Sequence, residues 1–186
     1  MIMSPAPISE PATALRPAAT GAAASQTAPS PPPRELALVA GSLITQLMIV
    51  LDMTIIAIAL PRMQEDLGLT SSQRPWAITA YTLANGGLVL LGGRLTAVFG
   101  IRRAYWLGQT GFATASLVAG MAASFPVLVT ARAAQGAFAA LLGPTTLALL
   151  NSAFPEGPRR RRVFALFGAT GGVGAAAGLL IGGALT

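Results

Sequence analysis

The sequence predicts an all-α integral membrane protein with about five transmembrane helices. Of its 186 residues, 53% are hydrophobic and only 10% are charged, whereas a soluble domain carries about 25% charged residues. The apolar residues form five runs, each close to the roughly 20 residues that a helix needs to cross a bilayer. Since hydrocarbon offers no water to backbone groups, such runs must be helical. The predicted spans are 36–60, 76–99, 104–123, 127–154 and 163–185.

The first 35 residues are predicted to be a disordered cytoplasmic tail, with the transmembrane domain at 36–186. Residues 1–33 are rich in Pro, Ala, Ser and Thr, and they hold eight of the 14 prolines. Such a segment buries too little apolar surface to offset the entropy of ordering. It also lacks the early basic region and apolar core of a signal peptide.

The ends of the predicted helices coincide with turn residues and charges. Pro61, followed by Arg62, Glu65 and Asp66, is predicted to end the first helix. Later breaks fall at Gly100, at Ser124–Pro126 and at Pro155–Arg162.

The arginines predict the orientation in the membrane, because short cytoplasmic loops carry an excess of positive charge. One side has only Arg62 and Arg74, and the other has Arg34, Arg94, Arg102, Arg103 and Arg159–Arg162. We therefore expect a multi-pass protein of the cytoplasmic membrane with its N-terminus in the cytoplasm. The run Arg159–Arg162 fits this topological role better than binding of lipid headgroups or nucleic acid, and no nucleic-acid partner is predicted.

Only two ionisable residues, Asp52 and Arg132, lie well inside the predicted spans. A charge near the centre of a membrane helix costs about 2.5–3.5 kcal/mol on insertion scales. Counting from the outer ends, Asp52 lies roughly 12 Å deep and Arg132 roughly 8 Å deep. They can therefore pair, and a motion that separates them would let Asp52 take up a proton. The alternative is a static pair that fixes helix register.

Further polar and small residues are candidates for a substrate path or for helix packing. Ser42, Thr45 and Gln46 form a polar stripe below Asp52, while Gln135 and Gly136 share a helix face with Arg132. A proline after Gly143 is expected to kink the fourth helix. The candidates for this role are Gln46, Thr54, Gln135, Gly136 and Pro144.

The fifth predicted helix is rich in glycine. Gly174, Gly178 and Gly182 repeat every four residues and are expected to form a smooth ridge for close helix contact. Residues 172–177 also fit the dinucleotide fingerprint GxGxxA, but no strand precedes them and their flanks are apolar and of membrane length. We therefore reject a nucleotide site.

Composition argues against an enzyme. The sequence contains no Cys and no His, which excludes thiolate chemistry and a His-based triad, and no nucleophile–base set is present. Glu65 and Asp66 are adjacent but fall in a predicted outer loop. We expect no cofactor and no metal.

Several motifs in order resemble those of the major facilitator superfamily, specifically its 14-helix drug:proton antiporter branch. LDMTIIAIALP resembles the first-helix motif LDxTIVNVALP, with Ala57 in place of Asn. WAITAYTLANGG resembles the start of the second helix, and GGRLTAVFGIRR resembles the loop signature GxLaDrxGrk, with Ala97 in place of Asp. The fourth-helix motif RxxQG is matched at Arg132, Gln135 and Gly136. In the loop signature the matched or adjacent residues are Gly93, Leu95, Gly100, Arg102 and Arg103.

GAAAGLLIGG resembles the antiporter motif GPxLGPxxGG of the fifth helix. Its two prolines are replaced by Ala175 and Leu179, so the resemblance implies transport and leaves antiport open. The matching glycines are Gly174, Gly178, Gly182 and Gly183.

The resemblance implies the N-terminal helical bundle of a major facilitator superfamily fold, cut off before the sixth helix. Its function would be proton-coupled efflux of drugs or other small molecules, with Asp52 and Arg132 coupling the proton. Its partners would be the lipid bilayer, a proton, a small-molecule substrate and the remainder of the transporter. The absence of the loop aspartate predicts a weakened or differently built inner gate. The rival hypothesis is a non-transporting membrane scaffold or a degenerate relative, and the substrate is left open.

Overall fold

The computed structural model describes residues 32–185, apart from the side chains at 178, 179 and 181–185. This part of the chain is built from five α-helices, in agreement with the predicted fold class. They are α1 (Pro33–Asp66), α2 (Trp76–Phe99), α3 (Ile101–Gly120), α4 (Phe125–Ala153) and α5 (Pro158–Leu185). Residues 1–31 of the predicted tail lie outside the described residues. Helix α1 begins at Pro33, so the last three residues of the predicted tail are helical.

The predicted end of the first helix was wrong. Helix α1 continues through Pro61 to Asp66, because a proline inside a helix removes one backbone bond without ending the helix. The helix ends at a glycine motif instead. Gly68 has φ +61°, the Gly68 amide donates to the Glu65 carbonyl, and the Leu69 amide donates to the Gln64 carbonyl at 2.9 Å. This bond pattern caps the last carbonyls and turns the chain.

Three of the five helices, α1, α2 and α4, are long and apolar enough to cross a membrane, judged by length and composition over the described residues. Helix α3 falls short because Arg102, Arg103 and Gln109 lower its hydropathy. Helix α5 begins with four arginines and continues with many glycines. The sequence had predicted a span for each of the five.

Helices α2, α3 and α4 form one closely packed unit, with α4 between the other two. Small residues allow the close approach. A methyl group on Gly136 would collide with the Tyr81 carbonyl, one on Gly92 would collide with the Ala140 carbonyl, and one on Gly108 would lie 2.7 Å from Leu142. The Ala140 carbonyl is the one whose helical partner is removed by Pro144.

Helices α1 and α5 form a second packed pair. Gly174 is buried, and an added methyl group there would lie 3.1 Å from Val50 and 3.2 Å from Leu47. At the start of both helices, Arg159 forms an ion pair with Glu35 at 2.7 Å. Contacts between α1 and the unit of α2, α3 and α4 are less extensive. We call the boundary between the two packed units the seam, and the candidate site lies in it.

Candidate functional site

Asp52 of α1 and Arg132 of α4 form an ion pair inside the bundle. The Arg132 Nη1 group donates to Asp52 Oδ2 at 2.6 Å. The Arg132 side chain is 1% exposed and the Asp52 side chain is 17% exposed. The two charges offset each other's desolvation only while they stay together, because breaking a buried pair leaves an uncompensated charge.

Gln135 completes the coordination of the carboxylate. Its Nε2 group donates to Asp52 Oδ1 at 2.6 Å and to Ser116 Oγ of α3 at 2.7 Å, while its Oε1 accepts from Arg132 Nη1 at 3.0 Å. Arg132 and Gln135 are one turn apart on α4, so both side chains point the same way. Both oxygens of Asp52 are therefore bound by α4 groups, and Ser116 ties this cluster to α3.

Arg132 is also held by α2. Its Nε group donates to the Ala77 carbonyl at 2.9 Å, and its guanidinium carbon lies 4.8 Å from the centre of the Tyr81 ring. Its Nη2 group contacts the sulfur of Met53 at 3.6 Å. The guanidinium thus has partners on both packed units, and those on α2 and α4 are independent of Asp52.

The cluster lies at the inner end of a cleft of about 390 Å³ between α1 and α3. The outer part of the cleft is lined by the ends of these helices, including Met63, Asp66 and Gly120. Its middle is mostly apolar, with Ile55, Ile56, Ala59 and Ala119. Asp52 is therefore accessible from one side, whereas Arg132 is enclosed.

The other predicted path residues lie in different surroundings. Thr54 donates to the Val50 carbonyl of its own helix at 2.8 Å, and Gln46 approaches Gly171 of α5. Neither contacts the charge cluster in the described bonds. Gly136 is at the site, against the backbone of Tyr81, and Pro144 lies two turns further along a continuous α4.

The residues of the loop signature gather at the opposite end of α2. Gly93 and Leu95 are in its last turns, and Gly100 joins α2 to α3 with φ +82°, a conformation that favours glycine. Arg102 and Arg103 are exposed in the first turn of α3. Among the matched glycines of the fifth-helix motif, Gly174 has a described environment, whereas the surroundings of Gly178, Gly182 and Gly183 lie outside the described set.

Sequence reasoning missed three contributors to the site: Ser116, Tyr81 and the Ala77 carbonyl. Ser116 falls on the face of α3 that also carries Phe112, which is fully buried, so helical spacing was the available signal. Tyr81 lies one turn after Ala77 in the quoted second-helix motif. No pattern indicated that a backbone carbonyl would bind the guanidinium.

Within residues 32–185, no group of three or more His, Cys, Asp or Glu side chains is arranged to hold a metal ion. What the site offers chemically is a carboxylate with a basic partner and hydrogen-bond donors in an apolar interior. Proton binding to the carboxylate would cancel its attraction for Arg132.

Five helices with a charge cluster between them define a multi-pass membrane protein. Within the described residues, the carboxylate of Asp52, in the apolar middle of α1, is tied to an arginine of α4. The sequence model of the Major Facilitator Superfamily matches residues 42–186, and the chain belongs to that family.

Three similar proteins are named for resistance, export or efflux. The chain is 53% identical over 144 residues to the puromycin resistance protein of Streptomyces alboniger, covering 77% of this chain and 29% of that protein. It is 42% identical over 139 residues to the cephamycin export protein of Amycolatopsis lactamdurans, covering 75% and 29%. It is 37% identical over 139 residues to a multidrug efflux pump of Mycolicibacterium smegmatis, covering 75% and 28%. The chain therefore spans less than a third of these relatives.

Proposed function

We propose that this chain is the N-terminal part of a proton-coupled transporter that exports small molecules across the cytoplasmic membrane, with the N-terminus in the cytoplasm. The proton-responsive group is Asp52, and Arg132 is its partner. Small-molecule antibiotics are the proposed substrate class.

The observation that carries this proposal is the binding of both Asp52 oxygens by α4 side chains, while the Asp52 side chain is still 17% exposed and lines the cleft. A buried pair of this kind is weak evidence for stability, because apolar residues of similar volume often do as well. An ionisable group inside a membrane bundle usually marks an ion or substrate pathway.

Proton binding would change which helices hold together. A neutral Asp52 loses its attraction for Arg132, while Arg132 keeps its bonds to Ala77 and Gln135. The ionic link between α1 and α4 is then broken, and the two states differ in how α1 sits against α4. A site that differs in proton affinity between two arrangements can couple a proton gradient to a conformational change.

The names of the relatives support the substrate class. One is named for puromycin resistance, one for cephamycin export and one for multidrug efflux. Puromycin is the first compound to assay, because the identity to the puromycin resistance protein is 53%. The proposed activity belongs to a polypeptide of the relatives' length.

The test is the Asp52→Asn variant of the full-length transporter in proteoliposomes with an imposed pH gradient. Asparagine keeps the shape and the bond to Gln135 but carries no titratable charge, so gradient-driven puromycin transport should fall to background. Proton release on puromycin addition, followed with a pH dye in the lumen, should disappear as well.

The matched control is Glu65→Gln, which removes an exposed carboxylate near the outer end of the same helix. It should leave transport within twofold of the parent protein. Normal insertion and yield of Asp52→Asn must accompany its loss of transport. Retention of pH-dependent export by Asp52→Asn would rule out the coupling role.

The alternative function is a non-transporting membrane scaffold. It is favoured by Ala97, which is exposed at the cytoplasmic end of α2 in place of the family's acidic residue. A scaffold would bind no substrate, so puromycin and cephamycin should both fail to protect the purified full-length protein from thermal unfolding. Protection by either compound supports the transporter.

A further inference from the structure

We propose that Tyr81 is a positioning residue that holds the guanidinium of Arg132 in place when Asp52 becomes neutral. The proposal deepens the proposed function, on which its role in transport rests. It concerns a side chain that the family motifs at Asp52 and around Arg132 do not include.

The geometry at Tyr81 is that of a cation over an aromatic face. The guanidinium carbon of Arg132 lies 4.8 Å from the ring centre, within the roughly 6 Å at which the attraction is significant. Tyr81 is 3% exposed and Arg132 is 1% exposed, and such contacts are stronger when both groups are desolvated. The Tyr81 hydroxyl takes no part in the hydrogen bonds of the cluster among the described residues. The ring face is therefore the part of the side chain that contacts the site.

The charge balance gives the ring its role. While Asp52 is ionised, the guanidinium charge is offset by the carboxylate, and the ring adds little. Once Asp52 is protonated, a full positive charge remains in the apolar interior, and the ring face and the Ala77 carbonyl are its partners on α2. Tyr81 therefore stabilises the protonated site more than the ionised one.

Few other charges face this cluster. The titratable and charged groups that contact it are Asp52 from α1, Tyr81 from α2 and Arg132 from α4, while α3 contributes the uncharged Ser116. Asp66 lines the same cleft at its outer end. Among these groups, Tyr81 is the one that can be changed without altering a formal charge at neutral pH.

The test compares Tyr81→Leu with Tyr81→Phe in the full-length protein. Leucine removes the ring face and should lower the pH midpoint of transport by roughly half a unit to one unit, as expected for a cation–π contact of ordinary strength. Phenylalanine keeps the ring face and should restore the parent midpoint. Both variants retain the backbone carbonyl that packs against Gly136.

A second readout separates this inference from the proposed function. The infrared carboxyl band of protonated Asp52, assigned by its absence in Asp52→Asn, gives the protonation midpoint without transport. A lower midpoint in Tyr81→Leu and an unchanged one in Tyr81→Phe support the positioning role, even where transport itself proves independent of pH.

Three outcomes would overturn the assignment. An unchanged Asp52 midpoint in Tyr81→Leu, with reduced yield or thermal stability, would reduce Tyr81 to a packing residue. An equal shift in Tyr81→Phe and Tyr81→Leu would give the role to the hydroxyl instead of the ring. A rise of the midpoint in Tyr81→Leu would contradict the charge balance.

Discussion

At the scale of the residue, Gly136 is the point where α4 meets the backbone of α2 beside the charge cluster. A methyl group there would collide with the Tyr81 carbonyl. A backbone atom in a packed helix cannot move aside as a flexible side chain can. The absence of a Cβ atom on Gly136 therefore permits the helix separation that brings Arg132 within reach of Ala77 and Tyr81.

Gly136→Ala should destabilise the full-length protein by about 1–3 kcal/mol, the usual cost of overpacking. Away from such a contact, alanine in place of glycine favours a helix by about 1 kcal/mol. The control is Gly86→Ala on α2, where an added methyl group meets no atom of the described residues within 4 Å. Thermal unfolding in detergent should show a lower midpoint for the first variant only, and equal midpoints would contradict the close-contact interpretation.

The residues of the site were predictable to the extent that they are unusual in a membrane. Asp52 and Arg132 stand out because isolated charges in apolar runs need partners, and their estimated depths allowed the pair that the structure contains. Ser116 and Tyr81 are ordinary residues in helices, so only the packing of α3 and α2 against α4 brings them into the site. Every residue has a backbone carbonyl, so the one at Ala77 carries no sequence signal.

At the scale of the element, the sequence predicted the five helices correctly but placed the end of α1 too early. Five apolar runs gave five helices, because length and composition decide whether a segment is helical in a bilayer. Pro61 was a misleading stop signal for α1. The decisive signal was Gly68, whose φ of +61° allows the capping bonds of Leu69 and ends the helix. Leu69 is 5% exposed, so burial of that side chain helps to fix the turn.

Gly174 is a point of close contact between α5 and α1. An added methyl group at this position would lie 3.1 Å from Val50, so a leucine there cannot be accommodated without moving the helix. Gly174→Leu should separate the two helices and speed amide hydrogen exchange along residues 44–52 of α1. Gly172→Leu is the matched control, because Gly172 is exposed and has no atom within 4 Å of an added methyl group. Equal exchange in both variants would show that α5 is not held by this contact.

At the scale of the whole molecule, two packed units meet along a seam whose polar links differ between its ends. In the proposed orientation, the N-terminal end of α1 is the cytoplasmic end and its C-terminal half is the outer half. Near the N-terminal end, Tyr105 bonds to Thr45 at 2.8 Å and to the Gly41 carbonyl at 3.1 Å, and Arg160 bonds to Asn151. These links do not require an ionised carboxylate. In the outer half the polar link is the bonding of Asp52 to Arg132 and Gln135, which does.

This asymmetry predicts where acidification acts. Protonation of Asp52 should loosen α1 from α4 in the outer half and leave the cytoplasmic end in place, so the motion is a hinge. The outer ends also share an apolar cluster that includes Leu60 and Leu128. Because the contacts of this cluster do not depend on pH, we expect the distance between the outer ends of α1 and α4 to become longer and more broadly distributed. We do not expect the two helices to separate fully.

Spin labels on introduced cysteines measure this hinge, since the sequence itself contains none. A pair at Arg62 and Val127 reports on the outer ends of α1 and α4, and a pair at Leu36 and Ser152 reports on their cytoplasmic ends. All four residues are exposed. In the full-length protein, with any other cysteines replaced, acidification should lengthen and broaden the first distance and leave the second unchanged. Asp52→Asn should give the acidic arrangement at every pH. If both distances respond equally, the helix moves as a rigid body, and if neither responds, Asp52 does not control the seam.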